Sequence, residues 1–358
     1  MTWCVCMMLA LCILSSCATD SKEKTGLDRS LILKNVAENL IGPAQDELMS
    51  SLANLSEKAT ALSTTTDEAT LLAVRSSWEM ARIQWARVEI YAFGPIKDLA
   101  LATKYNNWPI NDYGLEASIA GKSTYTASDV AALPSNQTGF TALEYLLYGE
   151  DALQKLQESE GRRSMLVSMV EVLKDHTQRI TAEWKDNYST KFTTSTGMEL
   201  GSSASLLSNA FVESVQDVST YKISIPLGFQ NDGSALPQQV EAQYANISKE
   251  LIVANLQAQK ALFNGTGAAG PLNGFDDYLD ALEADNEAER LSAAINQQFD
   301  LAIAAAQNIS GTVEEAVVAN PLAVNNVATE LQKLLILLKT DMMSRMGLVL
   351  TFSDNDGD

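Results

Sequence analysis

The chain has 358 residues and a formal charge of −20, with 45 acidic residues against 25 basic ones. No basic run appears anywhere, so clustered phosphate contacts are excluded, and nucleic acid with them as a partner. All four cysteines fall within the first 17 residues; the rest of the chain can form no internal disulfide and no cysteine metal site, and its stability must come from burial, for which ~340 residues suffice for one large core or two smaller ones.

Residues 3–14 form an apolar run that is too short to span a bilayer and fits the core of an export signal. Leu14-Ser15-Ser16-Cys17 has the form of a lipobox, with an aliphatic residue and two small ones before the cysteine that is lipidated. Residues 1–16 therefore read as a lipoprotein signal peptide, Cys17 as the lipidation site and residues 17–28 as a flexible tether. No Lys or Arg precedes the apolar run, a departure from the usual basic start of a signal. No second long apolar stretch exists, so the lipid is the expected membrane attachment, and the expected location is the cell envelope, at the outer membrane.

Helical periodicity dominates from there. Leu31, Leu33, Val36 and Leu40 open a first helix, which Pro43 kinks or restarts, and Leu48 to Leu62 continue it at spacings of three and four. Asp67 can cap a second helix that runs to about Phe93 and stops at Gly94-Pro95. Residues 101–134 read as irregular. A helix spans about 139–148, with Gly149 at its end, and another 151–185. A Ser/Thr/Gly-rich stretch at 186–203 marks a domain junction. Helices then follow near 204–221, 240–263, 274–308 (broken near Ala284) and 322–347, and segment 223–238 is the one place where strand could intrude. The expected fold is all-α: an N-terminal helical bundle over 29–195 packed on a C-terminal bundle over 196–358. The tail from Ser353 to Asp358 resembles half of a calcium loop, lacks the closing Glu, and reads as a solvated terminus.

Two segments carry ionisable groups toward the core. Trp78, Arg82, Trp85 and Glu89 fall within about 60° of one another on one helix face, so two charges accompany two tryptophans inward. The 139–149 segment is apolar nearly all round, with Glu144 its only charge and Thr141 and Tyr148 on the same face. Charges are rarely buried unless paired or ligating. Two readings follow: an internal Glu144–Arg82 ion pair with no further role, or a polar pocket between helices built from Glu89, Glu144 and the 108–112 segment, binding a cation or small ligand. The single histidine, His176, lies on an apolar stripe with Met169 and Leu173 and reads as a packed core residue.

The run from Trp78 through Arg82 and Glu89 to Gly94, then Trp108-Pro109-Ile110-Asn111-Asp112, then Gly139 to Gly149, resembles the imelysin-like proteins. Tyr221-Lys222 to Gly228, Val240-Glu241 and the C-terminal Thr351-Phe352-Ser353-Asp354 extend the resemblance over nearly the whole chain. It implies an all-helical body of two bundle-like halves, an envelope location, an association with iron uptake, and for some members a metallopeptidase classification. The family hallmark is Gly-x-His-x-x-Glu, in which His and Glu one turn apart suit a metal. Here Gly139 and Glu144 match, but Thr141 stands at the His position, and a hydroxyl is a poor ligand for zinc or iron. No serine or cysteine nucleophile with a paired base is evident.

The expectation is a non-catalytic binding lipoprotein associated with iron or metal uptake. Its candidate ligand or metal residues are Glu89, Asp112, Thr141 and Glu144, with Arg82, Trp85, Trp108 and Tyr148 in support. The cofactor is unknown: a metal ion is one candidate, iron by the resemblance, or a hard divalent cation by the oxygen chemistry. Envelope and iron-uptake proteins are the expected partners. The alternatives are a metallopeptidase with an altered ligand set and a scaffold that binds nothing.

Overall fold

The computed structural model describes residues 28–286 and 289–352. The signal segment, Cys17, the tether up to residue 27 and the acidic tail from Ser353 lie outside these residues.

The described chain is helical almost throughout, and local chemistry explains where the helices begin. Asp67 accepts the Thr70 N–H at 2.9 Å and Thr70 reciprocates, which starts the Glu68–Val88 helix at the expected cap. Ser159 accepts the Arg162 N–H and opens Glu160–Glu183, and Ser202 caps Ser203–Asp217 in the same way. Pro43 does not break the first helix. The chain passes from Arg29–Asn35 through a π-helical turn at Val36–Ile41 into Gly42–Thr64, where the proline occupies the first turn and its missing N–H costs little.

Several boundaries differ from the sequence expectation. The irregular 101–134 stretch contains the short helices Asp112–Ala120 and Ala127–Ala131. The helix expected from 240 begins at Ser248, because Ala242 and Asn246 hold φ of 53° and 60°, which no helix admits. Strand is found not within 223–238 but in two two-residue hairpins, Thr266–Gly267 with Gly270–Pro271 and Asp285–Asn286 with Glu289–Arg290. The second falls at the break expected near Ala284.

Apolar burial resolves into two clusters, and they do not divide at residue 195. One holds Leu48 to Leu62, Leu71 to Val88 and most of the core up to Ile180, but also Ala242, Leu251 and Ala254. The other holds Phe211, Phe263 and Phe299, but also Ile32 to Ile41, Tyr91, Phe93 and Trp184 from the first half of the chain. The two clusters do not follow the expected 195/196 division: the opening helix packs with the late helices, and Ser248–Phe263 packs against both sides. The π-helical turn Val36–Ile41 still packs in the second of these clusters, and the chain changes cores between Ile41 and Leu48 without leaving the helix. No helix among the described residues is long and apolar enough to cross a membrane.

Candidate functional site

The Trp78–Glu89 face does point inward. Trp78, Arg82 and Trp85 are each 1% exposed, and Glu89 is intermediate at the helix end. Trp85 stacks flat on Tyr105, with centroids 3.8 Å apart and planes 2° from parallel. Tyr105 in turn hydrogen-bonds Thr177 at 2.6 Å. Trp78 donates its indole N–H to the Phe140 carbonyl at 3.1 Å.

Arg82 does not pair with Glu144. Its guanidinium is in direct contact with the buried Glu241 carboxylate, and Nη1 lies 3.8 Å from Glu89 Oε2. Lys222 closes the arrangement: its Nζ is 2.9 Å from Glu89 Oε1 and 2.9 Å from Glu241 Oε2. Two cations and two carboxylates thus alternate in a closed quartet. Neutral groups complete it. Asn255 accepts from Lys222 Nζ at 2.7 Å and donates to Glu89 at 3.0 Å and to the Ala86 carbonyl at 2.6 Å. Asn106 donates to Glu241 at 2.6 Å. Burial opposes ionisation of Glu241, yet Arg82 and Lys222 outweigh it and hold the carboxyl below its usual range.

Thr141 donates its hydroxyl to Asn106 Oδ1 at 3.0 Å and so serves as an outer support of this quartet. Glu144, 2% exposed, accepts two backbone N–H groups, from Tyr244 at 2.7 Å and Ala245 at 3.0 Å. Burial pushes its carboxyl up to about 8, against the pull of those two N–H groups and of Arg82. Gly139 is required where it stands: its φ is 74°, and a Cβ would overlap the Tyr105 carbonyl. Tyr148 hydrogen-bonds Glu79 at 2.7 Å, away from the quartet. Asp112 is exposed on the first turn of its helix, where it accepts the Tyr113 N–H at 2.7 Å. His176 is buried, and burial lowers its pKa, as a packed imidazole requires.

Over the quartet lies a cavity of about 460 Å³. Glu89, Lys222 and Asn255 form its polar floor, Trp85, Ile90 and Val218 contribute apolar wall, and Trp108 and Tyr221 belong to its lining. Trp108 is tied by its indole N–H to the Gln239 carbonyl at 3.1 Å, and Lys222 Nζ lies 5.8 Å from its ring. Asp217, at the end of its helix, also faces this space. A π-helical turn, Val218–Ser224, follows directly, and such turns often mark functional positions; this one presents Tyr221 and Lys222 to the cavity. A smaller recess of about 200 Å³ shares Glu89 and Asp217 and adds Glu213 and Lys97.

Of the candidates drawn from the sequence, Glu89, Trp85 and Trp108 line the cavity, and Arg82 lies behind it. Asp112, Thr141, Glu144 and Tyr148 do not line it. Lys222, Glu241, Asn255 and Asp217 were not singled out. Tyr221-Lys222 and Val240-Glu241 figured only in the resemblance, and Asn255 and Asp217 carry no local signal.

A resident transition metal does not fit the hallmark positions. The Thr141 oxygen is engaged by Asn106, Glu144 is clasped by backbone, and cations already sit between the other two carboxylates. Among the described residues no group of three or more His, Cys, Asp or Glu is placed to hold a metal ion.

This geometry is that of a helical-bundle protein with a cavity floored by a buried charge network. The imelysin family model matches residues 43–340, and the chain belongs to that family. A curated relative, iron-regulated protein A of Synechococcus elongatus (strain ATCC 33912 / PCC 7942 / FACHB-805), is 26% identical over 172 residues; the match spans 45% of each chain, less than half of the relative's length. The fold is similar to that of an imelysin-like protein from Psychrobacter arcticum 273-4, with TM-score 0.76, 18% identity, and 91% of this chain and 98% of that one covered. It is also similar to a putative iron-regulated protein A precursor from Parabacteroides distasonis ATCC 8503, with TM-score 0.75, 17% identity, and coverage of 89% and 95%.

Proposed function

We propose that this protein is a lipid-anchored binding component of the cell envelope that serves iron uptake without peptidase activity, and that its ligand sits in the cavity beside Glu89. The observation that carries this reading is the cavity itself. Its volume of about 460 Å³ suits a small molecule or a chelate rather than a bare ion, and its floor is fixed by the quartet. The names of two relatives, one an iron-regulated protein A and the other a precursor of such a protein, support the iron connection and export. The lipobox at Cys17 supports the anchor.

The altered-ligand metallopeptidase reading lacks its parts. Water activation by a metal needs firmly held ligands with an open position. Here the matching Glu144 is committed to two backbone N–H groups.

Calorimetric titration of the full chain with Fe²⁺, Fe³⁺, Zn²⁺ and ferric chelates, on wild type and Glu89→Gln, tests the proposal. Saturable binding of a chelate that weakens in Glu89→Gln is expected, together with no hydrolysis of casein. Stoichiometric binding of a bare ion that survives Glu89→Gln, or casein hydrolysis that a chelator abolishes, would overturn it.

A further inference from the structure

We propose that the cavity selects an organic cation, a molecule with a flat apolar body and a protonated amine, and that Asp217 and the open edge of Glu89 receive the amine. This inference deepens the reading of the cavity as a binding site and rests on it.

The charge and hydrogen-bonding state of the lining favour one sign. Lys222, the cation on the cavity floor, donates to Glu89 and Asn255 and lies 2.9 Å from Glu241 Oε2, so its charge is already shared by two carboxylates. The Trp108 N–H goes to Gln239, the Asn106 amide to Glu241, and the Asn255 amide to Ala86 and Glu89. Few donors are left for an anionic ligand entering this space: of the two lining indoles, Trp85 keeps an N–H without a partner while that of Trp108 is taken. Acceptors, by contrast, remain. Glu89 Oε1 takes both Lys222 and Asn255, while Oε2 has only the distant Arg82 guanidinium at 3.8 Å.

The charge balance agrees. Arg82 and Lys222 cancel Glu89 and Glu241 within the quartet. Outside it, the recess that joins the cavity at Asp217 brings two carboxylates, Asp217 and Glu213, against one cation, Lys97. Asp217 is an exposed residue of the lining, and desolvation of its carboxyl together with repulsion from Glu213 and Glu89 lifts it to about 7 although Lys222 pulls it down. A ligand ammonium relieves that repulsion. The body of such a ligand has Trp108, Trp85, Ile90 and Val218 to lie against, and cation–π attraction at the aromatic faces adds to the preference for a positive guest.

The test uses one ring system at three charges: tryptamine, tryptophol and indole-3-acetate, titrated by calorimetry into the full chain. Tryptamine is expected to bind about tenfold or more tighter than the other two, as one charge-assisted hydrogen bond would give. Asp217→Asn is expected to lower tryptamine affinity about tenfold and leave tryptophol unchanged. Tryptamine affinity should rise between pH 6 and pH 8 as Asp217 ionises, and Asp217→Asn should flatten that rise. Equal binding of all three probes, or preference for indole-3-acetate, overturns this proposal and leaves the cavity reading standing. So does binding of none of them while a ferric chelate still binds. Binding of no probe and no chelate overturns both.

Discussion

The Glu144 carboxylate accepts the Tyr244 backbone N–H at 2.7 Å, across 100 residues of sequence. It holds the Ala245 N–H as well, and it is the element that fixes the 242–246 bend against the buried 139–148 helix. Its carboxyl stands at about 8, raised by burial. A carboxyl whose folded pKa lies above its unfolded one stabilises fully below the unfolded value, and that contribution is lost as pH rises through the folded one. Stability should therefore decline from about pH 5 to above pH 8, by a few kcal/mol at most from this group. Glu144→Gln keeps the acceptor and removes the charge. Thermal melts from pH 5 to 9 should show a shallower decline for this variant and a higher Tm at pH 8.5. An unchanged slope would refute the assignment. Asp217, at about 7, and Asp276, at about 6, act in the same direction and leave a residual slope.

Glu144→Ala has a different outcome. It strands two backbone N–H groups in the interior and should destabilise by about 2–4 kcal/mol at pH 6. Chemical denaturation measures this, and a loss below about 1 kcal/mol would mean that solvent reaches those groups.

Removing Arg82 leaves Glu241 buried beside one cation instead of two. Arg82→Met should destabilise by about 3–5 kcal/mol. Glu241→Gln in the Arg82→Met background should recover part of that loss, because the uncompensated charge goes with it. A double variant whose loss equals the sum of the two single losses would show that the pair is energetically uncoupled.

Thr141→His restores the family's hallmark residue but should not create a metal site, since Glu144 stays clasped by Tyr244 and Ala245. Elemental analysis of the purified variant should find no stoichiometric zinc or iron. A tightly bound equivalent of either would show that Glu144 is free to ligate.

Gly139→Ala should cost more than about 1 kcal/mol, because both the positive φ and the Tyr105 carbonyl oppose a methyl group there. A melting temperature equal to that of wild type would contradict the close approach of these two segments.

What was legible in the sequence was local. The stripe Trp78, Arg82, Trp85, Glu89 could be read because helical period alone brings those side chains to one face, and Glu144 stood out as the one charge in an apolar helix. Their partners could not be read. Arg82 meets Glu241 at a separation of 159 residues, and Lys222 meets Glu89 at 133. The clasp on Glu144 depends on left-handed backbone at Ala242 and Asn246, and alanine gives no warning of it. Thr141, Glu144 and Asp112 were expected at the pocket because only sequence-near groups could be combined. The structure instead joins Glu89 to residues from the second half. The all-α class was legible throughout, but the division of its core was not, because a helix that continues through a π-turn carries the same apolar pattern into either cluster.

Arg82 and Glu89 come from one stretch of chain and Lys222 and Glu241 from another, yet Arg82 contacts Glu241 and Lys222 bridges to Glu89. Any hinge that parted these segments would have to break both crossed pairs together while their charges are still out of water. The cavity floor is therefore preorganised. Under the proposed binding role, a guest would meet a floor already in its bound shape, with no closure of that floor required.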